Sequence, residues 1–181
     1  MITLIDPAQY RHTPWKNGGG ITIDIAEQGD IWRFGRTPIT EAGPFSDYSG
    51  FDRLQVLVAG RGLVLDTPGG EIDLRMAFKP VRFAGETPVV SRLEAGPVEV
   101  VNLIGARATV RLSLDVLTAG SALDVEAGIH LAYAAPGAAT LEIDGKRQDL
   151  ALDHTLRVET SGPTLIACTG GMFLLGSVTC V

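Results

Sequence analysis

The stretch Gly43-Pro-Phe-Ser-Asp-Tyr-Ser-Gly-Phe-Asp-Arg-Leu-Gln-Val-Leu-Val-Ala59 joins a turn-rich segment to an apolar run of strand length. Gly, Pro, Ser and Asp punctuate its first half, and Val and Leu dominate the second, as a pleated strand prefers. The same alternation recurs along the whole chain. Twenty-two glycines and ten prolines are spread over 181 residues. No long stretch repeats with the 3.6-residue period of a helix. That combination predicts an all-β sandwich or barrel.

Upstream of this stretch, a short strand near Ile2 to Ile5 precedes Pro14-Trp-Lys-Asn-Gly-Gly-Gly20. The glycines permit close backbone approach, but the Lys-Ser/Thr spacing of a phosphate loop is missing and no helical pattern follows. Ile21-Thr-Ile-Asp-Ile25 alternates, placing Ile21, Ile23 and Ile25 on one face. Gly29-Asp30 turns the chain into Ile31-Trp-Arg-Phe-Gly-Arg36, where Trp32 and Phe34 face one way and Arg33 the other. Alternation leaves open whether Arg33 meets solvent or a ligand cavity.

Downstream, Ala59-Gly-Arg-Gly62 and Thr67-Pro-Gly-Gly70 are turns, with further strands near 81–83, 89–93 and 98–104. Asn102 stands inside the last of these apolar runs. A buried amide needs a hydrogen-bond partner, supplied either by the fold or by a ligand. Beyond residue 110 the strands alternate cleanly around Asp144-Gly145, the strongest hairpin signal in the chain. They cluster few polar groups, so this half reads as scaffold.

A net charge of −6 with no Lys/Arg cluster argues against nucleic acid and anionic membrane as partners, since both need a basic footprint. The N-terminus shows no signal-peptide pattern and nothing approaches a membrane-spanning length. Cys168 and Cys180 are expected to be buried, reduced thiols in a cytoplasmic protein. His12, His130 and His154 lack metal-ligand spacing, so no metal or other cofactor is expected. No Gly-x-Ser-x-Gly elbow is present, and no enzyme class is positively signalled. The acidic residues Glu41, Asp47 and Asp52 leave a paired-carboxylate site open. Arg53 is suited to gripping a carboxylate through parallel hydrogen bonds, or else keeps a strand edge soluble.

Trp15-Lys-Asn-Gly-Gly-Gly20, Trp32-Arg33, Gly43-Pro-Phe-Ser46 and Gly50-Phe-Asp-Arg53 together resemble the HutD/Ves family. Ala59-Gly-Arg-Gly62, Phe83-Ala-Gly85, Gly96-Pro-Val98 and Asn102 continue the resemblance over about the first 110 residues. It implies a cupin-type bicupin, two β-barrel or jelly-roll units, with residues 1–110 bearing the pocket and 111–181 a second, scaffold-like half. It further implies metal-independent binding of a small carboxylic acid such as urocanate or N-formylglutamate. The associated role would be regulation or buffering in histidine catabolism. The expected ligand-binding residues are Trp15, Asn17, Arg33, Phe45, Ser46, Arg53 and Asn102. Val100-Val-Asn102 departs from the family's Asp-Phe-Asn, and Arg36 adds a charge the pattern lacks. The alternative is a metal-independent isomerase, lyase or hydrolase with His12, Asp47 or Asp52 as base. A protein-interaction surface is a third reading, and open sheet edges are compatible with a homodimer.

Overall fold

The structure is a computed structural model that describes residues 1–15 and 20–181. In chain order the strands begin with β1 (Ile2–Ile5), β2 (Arg11–Pro14), β3 (Ile21–Gln28), β4 (Trp32–Ile39) and β5 (Gly43–Pro44). They continue with β6 (Phe51–Ala59), β7 (Leu63–Thr67), β8 (Gly70–Leu74), β9 (Val81–Ala84), β10 (Val90–Leu93) and β11 (Val98–Ala106). The remaining strands are β12 (Val110–Thr118), β13 (Ala122–Val125), β14 (Gly128–Tyr133), β15 (Ala139–Ile143), β16 (Lys146–Leu150), β17 (Thr155–Thr160), β18 (Thr164–Gly170) and β19 (Met172–Cys180). One 3-10 turn, Pro7–Gln9, is capped by Asp6. No helix among the described residues is long and apolar enough to cross a membrane.

Two compact units emerge. The N-terminal unit, Arg11–Thr109, holds a six-stranded sheet in the order β2-β3-β4-β11-β6-β9 and a four-stranded sheet β5-β10-β7-β8. The C-terminal unit holds a five-stranded sheet β1-β17-β14-β19-β12 and a four-stranded sheet β13-β18-β15-β16. The division expected at residue 110 needs one correction. Met1–Tyr10 belong to the C-terminal unit, because β1 pairs antiparallel with β17 from Ile2 opposite Val158 to Ile5 opposite Thr155.

Period-two alternation explains the core of each unit. In the N-terminal unit Ile39, Leu57, Val98 and Val100 of the large sheet meet Leu63, Leu65, Leu74 and Val89. In the C-terminal unit Leu117, Leu156, Phe173 and Leu175 meet Leu141, Ile143, Leu150 and Ile166. Each such side chain contributes about 1.5–3 kcal/mol on burial, which offsets the ordering of many short strands.

Three local expectations change. A β-bulge at Ile25 breaks the predicted alternation of β3, since Asp24 opposes Gly35 while Ala26 opposes Phe34. Before the bulge Ile21 and Ile23 share one face as expected, but Ile21 is 38% exposed, and Asp24 on the opposite face is turned inward, 4% exposed. Cys168 is buried, but Cys180 is exposed where β19 ends; both are free thiols. His154 follows Asp153 in a turn, a position that by sequence alone predicts exposure, yet it is half-buried and lies 3.5 Å from the Asp6 carboxylate.

Candidate functional site

The site is built by register. Asn102 on β11 stands opposite Gln55 on β6 and opposite Gly35 on β4, and Gly35 in turn opposes Asp24 on β3. Directly opposed residues share a face of the sheet, so Asp24, Asn102 and Gln55 form one polar row. Leu57 and Val100 lie two residues further along the same face, in the apolar core. Arg53 lies two residues the other way, about 7 Å from Gln55 along the strand. The interior of the N-terminal unit thus grades from apolar to polar to cationic.

Arg53 is 7% exposed. Its guanidinium carbon sits 5.0 Å from the Phe45 ring centre, 5.4 Å from Tyr48 and 5.2 Å from Phe83. Such cation–π contacts stabilise a desolvated cation by roughly 2 kcal/mol each, but they supply neither a counter-charge nor acceptors for its N–H groups. Its one hydrogen bond among the described residues is long, Nη1 donating to the Ser46 carbonyl at 3.4 Å. Nε is buried and donates to nothing among the described residues. Burial pushes its pKa down to about 10, so the group remains a cation at neutral pH.

The amides beside it are also incompletely satisfied. Gln55 is 1% exposed and Asn102 9%. Asn102 Nδ2 donates to Thr37 Oγ1 at 3.4 Å. The amide oxygens of Gln55 and Asn102 accept nothing among the described residues. Buried acceptors without donors cost free energy that a ligand can restore.

Arg33 shares this inner face but is already matched, 3.4 Å from Asp24 and 3.5 Å from Glu27. Asp24 also accepts from Thr13 Oγ1 at 2.6 Å, and Arg11 approaches it at 3.3 Å. Arg36 faces the other side of the sheet, 3.2 Å from Glu99. Trp15 caps the β2–β3 end, its indole donating to Thr22 Oγ1 at 3.0 Å and its ring lying over Gly20. Ser46 contributes its carbonyl, not the expected hydroxyl. Asn17 lies outside the described residues. Phe45, Arg53 and Asn102 are the expected residues that this inner cluster contains. Gln55, Thr37, Tyr48 and Phe83 join them without having been anticipated. Alternation counted from Arg53 is the signal that finds Gln55.

The loop carrying Ser46 and Tyr48 is pinned from outside. Tyr48 N–H donates to the Gly85 carbonyl at 3.0 Å, and Gly85 N–H to the Phe51 carbonyl at 2.7 Å. A side chain on Gly85 has no room, since a Cβ there would come 2.2 Å from the Tyr48 carbonyl. Asp52 is held between Arg107 at 2.7 Å and Arg82 at 2.9 Å. It therefore does not serve as a free base. Asp47 is exposed and accepts from the Ser49 hydroxyl, and His12 is exposed on the opposite face of β2 from Thr13.

Two paired-sheet units, one with a polar-floored interior, define a cupin-type bicupin, and solved cupin barrels share the fold at about 9% identity. The HutD family model matches residues 7–175, and the chain belongs to that family. It is 30% identical to an uncharacterized 21.2 kDa protein in the hutC 3′ region of Pseudomonas putida, covering 96% of this chain and 95% of that one. HutD from Pseudomonas fluorescens SBW25 superposes with a TM-score of 0.85 at 25% identity over the whole of both chains. A conserved protein of unknown function from Pseudomonas aeruginosa PAO1 gives 0.88 at 25% identity, again over both full chains.

Proposed function

We propose that the protein binds a small carboxylic acid without a metal, in the N-terminal unit, and serves a regulatory or buffering role in histidine catabolism. The observation that carries this reading is Arg53, a buried cation among aromatic rings with no carboxylate partner among the described residues. A ligand carboxylate would complete its hydrogen bonds and supply the missing counter-charge. The open amide oxygens of Gln55 and Asn102 ask in addition for a ligand that donates N–H. Urocanate, with an imidazole N–H, and N-formylglutamate, with an amide N–H, each combine both features. The rings close tightly on Arg53, so entry requires the 45–51 loop to yield. The position of the P. putida relative beside hutC supports the pathway assignment, as does HutD from P. fluorescens.

A thermal-shift titration against urocanate and N-formylglutamate, neither of which carries an ammonium group, tests this. A ligand at a hundred times its Kd adds about 2.7 kcal/mol, or roughly 5–10 °C for a chain of this size. Stabilisation by one acid, abolished in Arg53→Ala, is expected. No shift with either of them would sink the reading.

A further inference from the structure

The C-terminal unit contains a cavity of about 420 Å³, a volume suited to a small molecule. Its floor is His130, fully buried, and Ser177, 6% exposed. Register puts Ser177 on β19 opposite both His130 on β14 and Ser113 on β12. Hydrogen bonding fixes the polarity of this row. His130 Nε2 lies 3.0 Å from the Glu126 carbonyl, which can only accept, and 3.2 Å from Thr160 Oγ1, whose own proton goes to that carbonyl, so Nε2 carries the proton. Nδ1 is then an acceptor, and the Ser177 hydroxyl must donate to it across 2.9 Å. Burial holds the imidazole pKa low, in keeping with this neutral tautomer. The lone pairs of Ser177 are left to accept from whatever occupies the cavity.

The wall adds charge of both signs, one cation, Arg111, and three acidic residues, Asp115, Asp124 and Glu126. Arg111, Ser113 and Asp115 alternate onto the same face of β12, opposite Thr179, Ser177 and Leu175. Arg111 and Asp115 are about 13 Å apart along the strand, too far to pair with each other. Neither makes an ion pair or hydrogen bond with another side chain among the described residues, whereas Arg147 and Arg157 of the same unit are paired with Asp149 and Glu159. Leu123 supplies an apolar side to the cavity.

We propose that this cavity is a second binding site, for a small zwitterion of the amino-acid type. Its carboxylate meets Arg111, its ammonium meets Asp115, and the acceptor oxygens of the serine row take the remaining ammonium protons. This site lies in the unit that the sequence marked as scaffold, and it is separate from Arg53.

Isothermal titration of the full chain with L-glutamate, L-histidine and glycine tests it, with histamine and N-acetylglycine as probes lacking the carboxylate or the ammonium. Binding of a free amino acid is expected to weaken roughly tenfold in Arg111→Ala and in Asp115→Asn, the loss of one charge-assisted contact. The two single-charge probes should bind comparably worse, and Arg53→Ala should leave the amino-acid affinity unchanged. Circular dichroism confirms that each variant is folded, and Ser113→Ala, which removes only a hydroxyl, serves where another variant is not. Absence of amino-acid binding at millimolar concentration overturns the proposal. So does binding indifferent to Arg111, Ser113 and Asp115, or binding abolished in Arg53→Ala.

Discussion

Gln55 and Asn102 face each other across β6 and β11, and each turns a buried amide oxygen toward no donor among the described residues. The pair is a built demand for N–H. Replacing Asn102 or Gln55 by Leu should cost an N–H-bearing acid such as N-formylglutamate roughly tenfold in affinity. Glutarate, which has carboxylates but no N–H, should be nearly insensitive to the same changes. Calorimetry with both acids checks this, and equal losses for the two would remove the amides from recognition.

Arg53 sets function against stability. Arg53→Met removes a buried, unpaired charge and keeps much of the volume among Phe45, Tyr48 and Phe83. The free protein should be equally stable or more stable, by up to about 4 kcal/mol, while acid binding is lost. Denaturant unfolding measures the first part and titration the second. Marked destabilisation would mean that the guanidinium is structural.

The same group gives the site an alkaline limit. Its pKa lies at about 10 in the free protein, and a bound carboxylate raises it. Affinity should be flat near neutrality and fall as pH rises through about 10, with proton uptake on binding in that window. Calorimetry in two buffers of different ionisation heat reads the uptake directly.

Gly85 is the keystone of the loop over Arg53, because a Cβ there would collide with the Tyr48 carbonyl. Gly85→Ala should lower stability by about 1–3 kcal/mol and weaken acid binding. Gly69→Ala, where a Cβ meets nothing closer than 3.7 Å, is the control and should be close to neutral.

His130 makes the C-terminal unit acid-sensitive. Its folded pKa is lowered by burial, so below the ordinary value of about 6.5 the unfolded chain binds the extra proton more readily. Stability from this group is full above that value and is lost as pH falls through the folded pKa. The melting temperature of His130→Gln should fall less steeply between about pH 7 and pH 5 than that of the wild type.

Strand positions were legible in the sequence wherever turn chemistry was strong. Gly29 at the β3–β4 turn and Asp144-Gly145 at β15–β16 all adopt positive φ, as their residue types suggest. The bulge at Ile25 was not legible, because Ile21-Thr-Ile-Asp-Ile25 alternates perfectly on paper. The inward turn of Asp24 depends on pairing with β4, which is tertiary information. Arg53 and Asn102 stood out as polar groups at the edges of apolar runs. Which arginines are neutralised depends on neighbours distant in sequence, such as Glu99 for Arg36 and Asp52 for Arg107. The cavity of the C-terminal unit escaped notice because Arg111, Ser177 and His130 lie far apart along the chain.

The pairing of β1 with β17 bears on how the chain is made. Met1 reaches the Glu159 carbonyl, 158 residues away, so β1 pairs with a strand that is made long after it. During translation the segment 11–109 can complete its sheets while β1 still waits, an arrangement that makes closure of the C-terminal unit the slow, non-local event. A change in β1 would thus be felt far along the sequence, at β17, and a β17 edge left unpaired is the place where incomplete chains would associate.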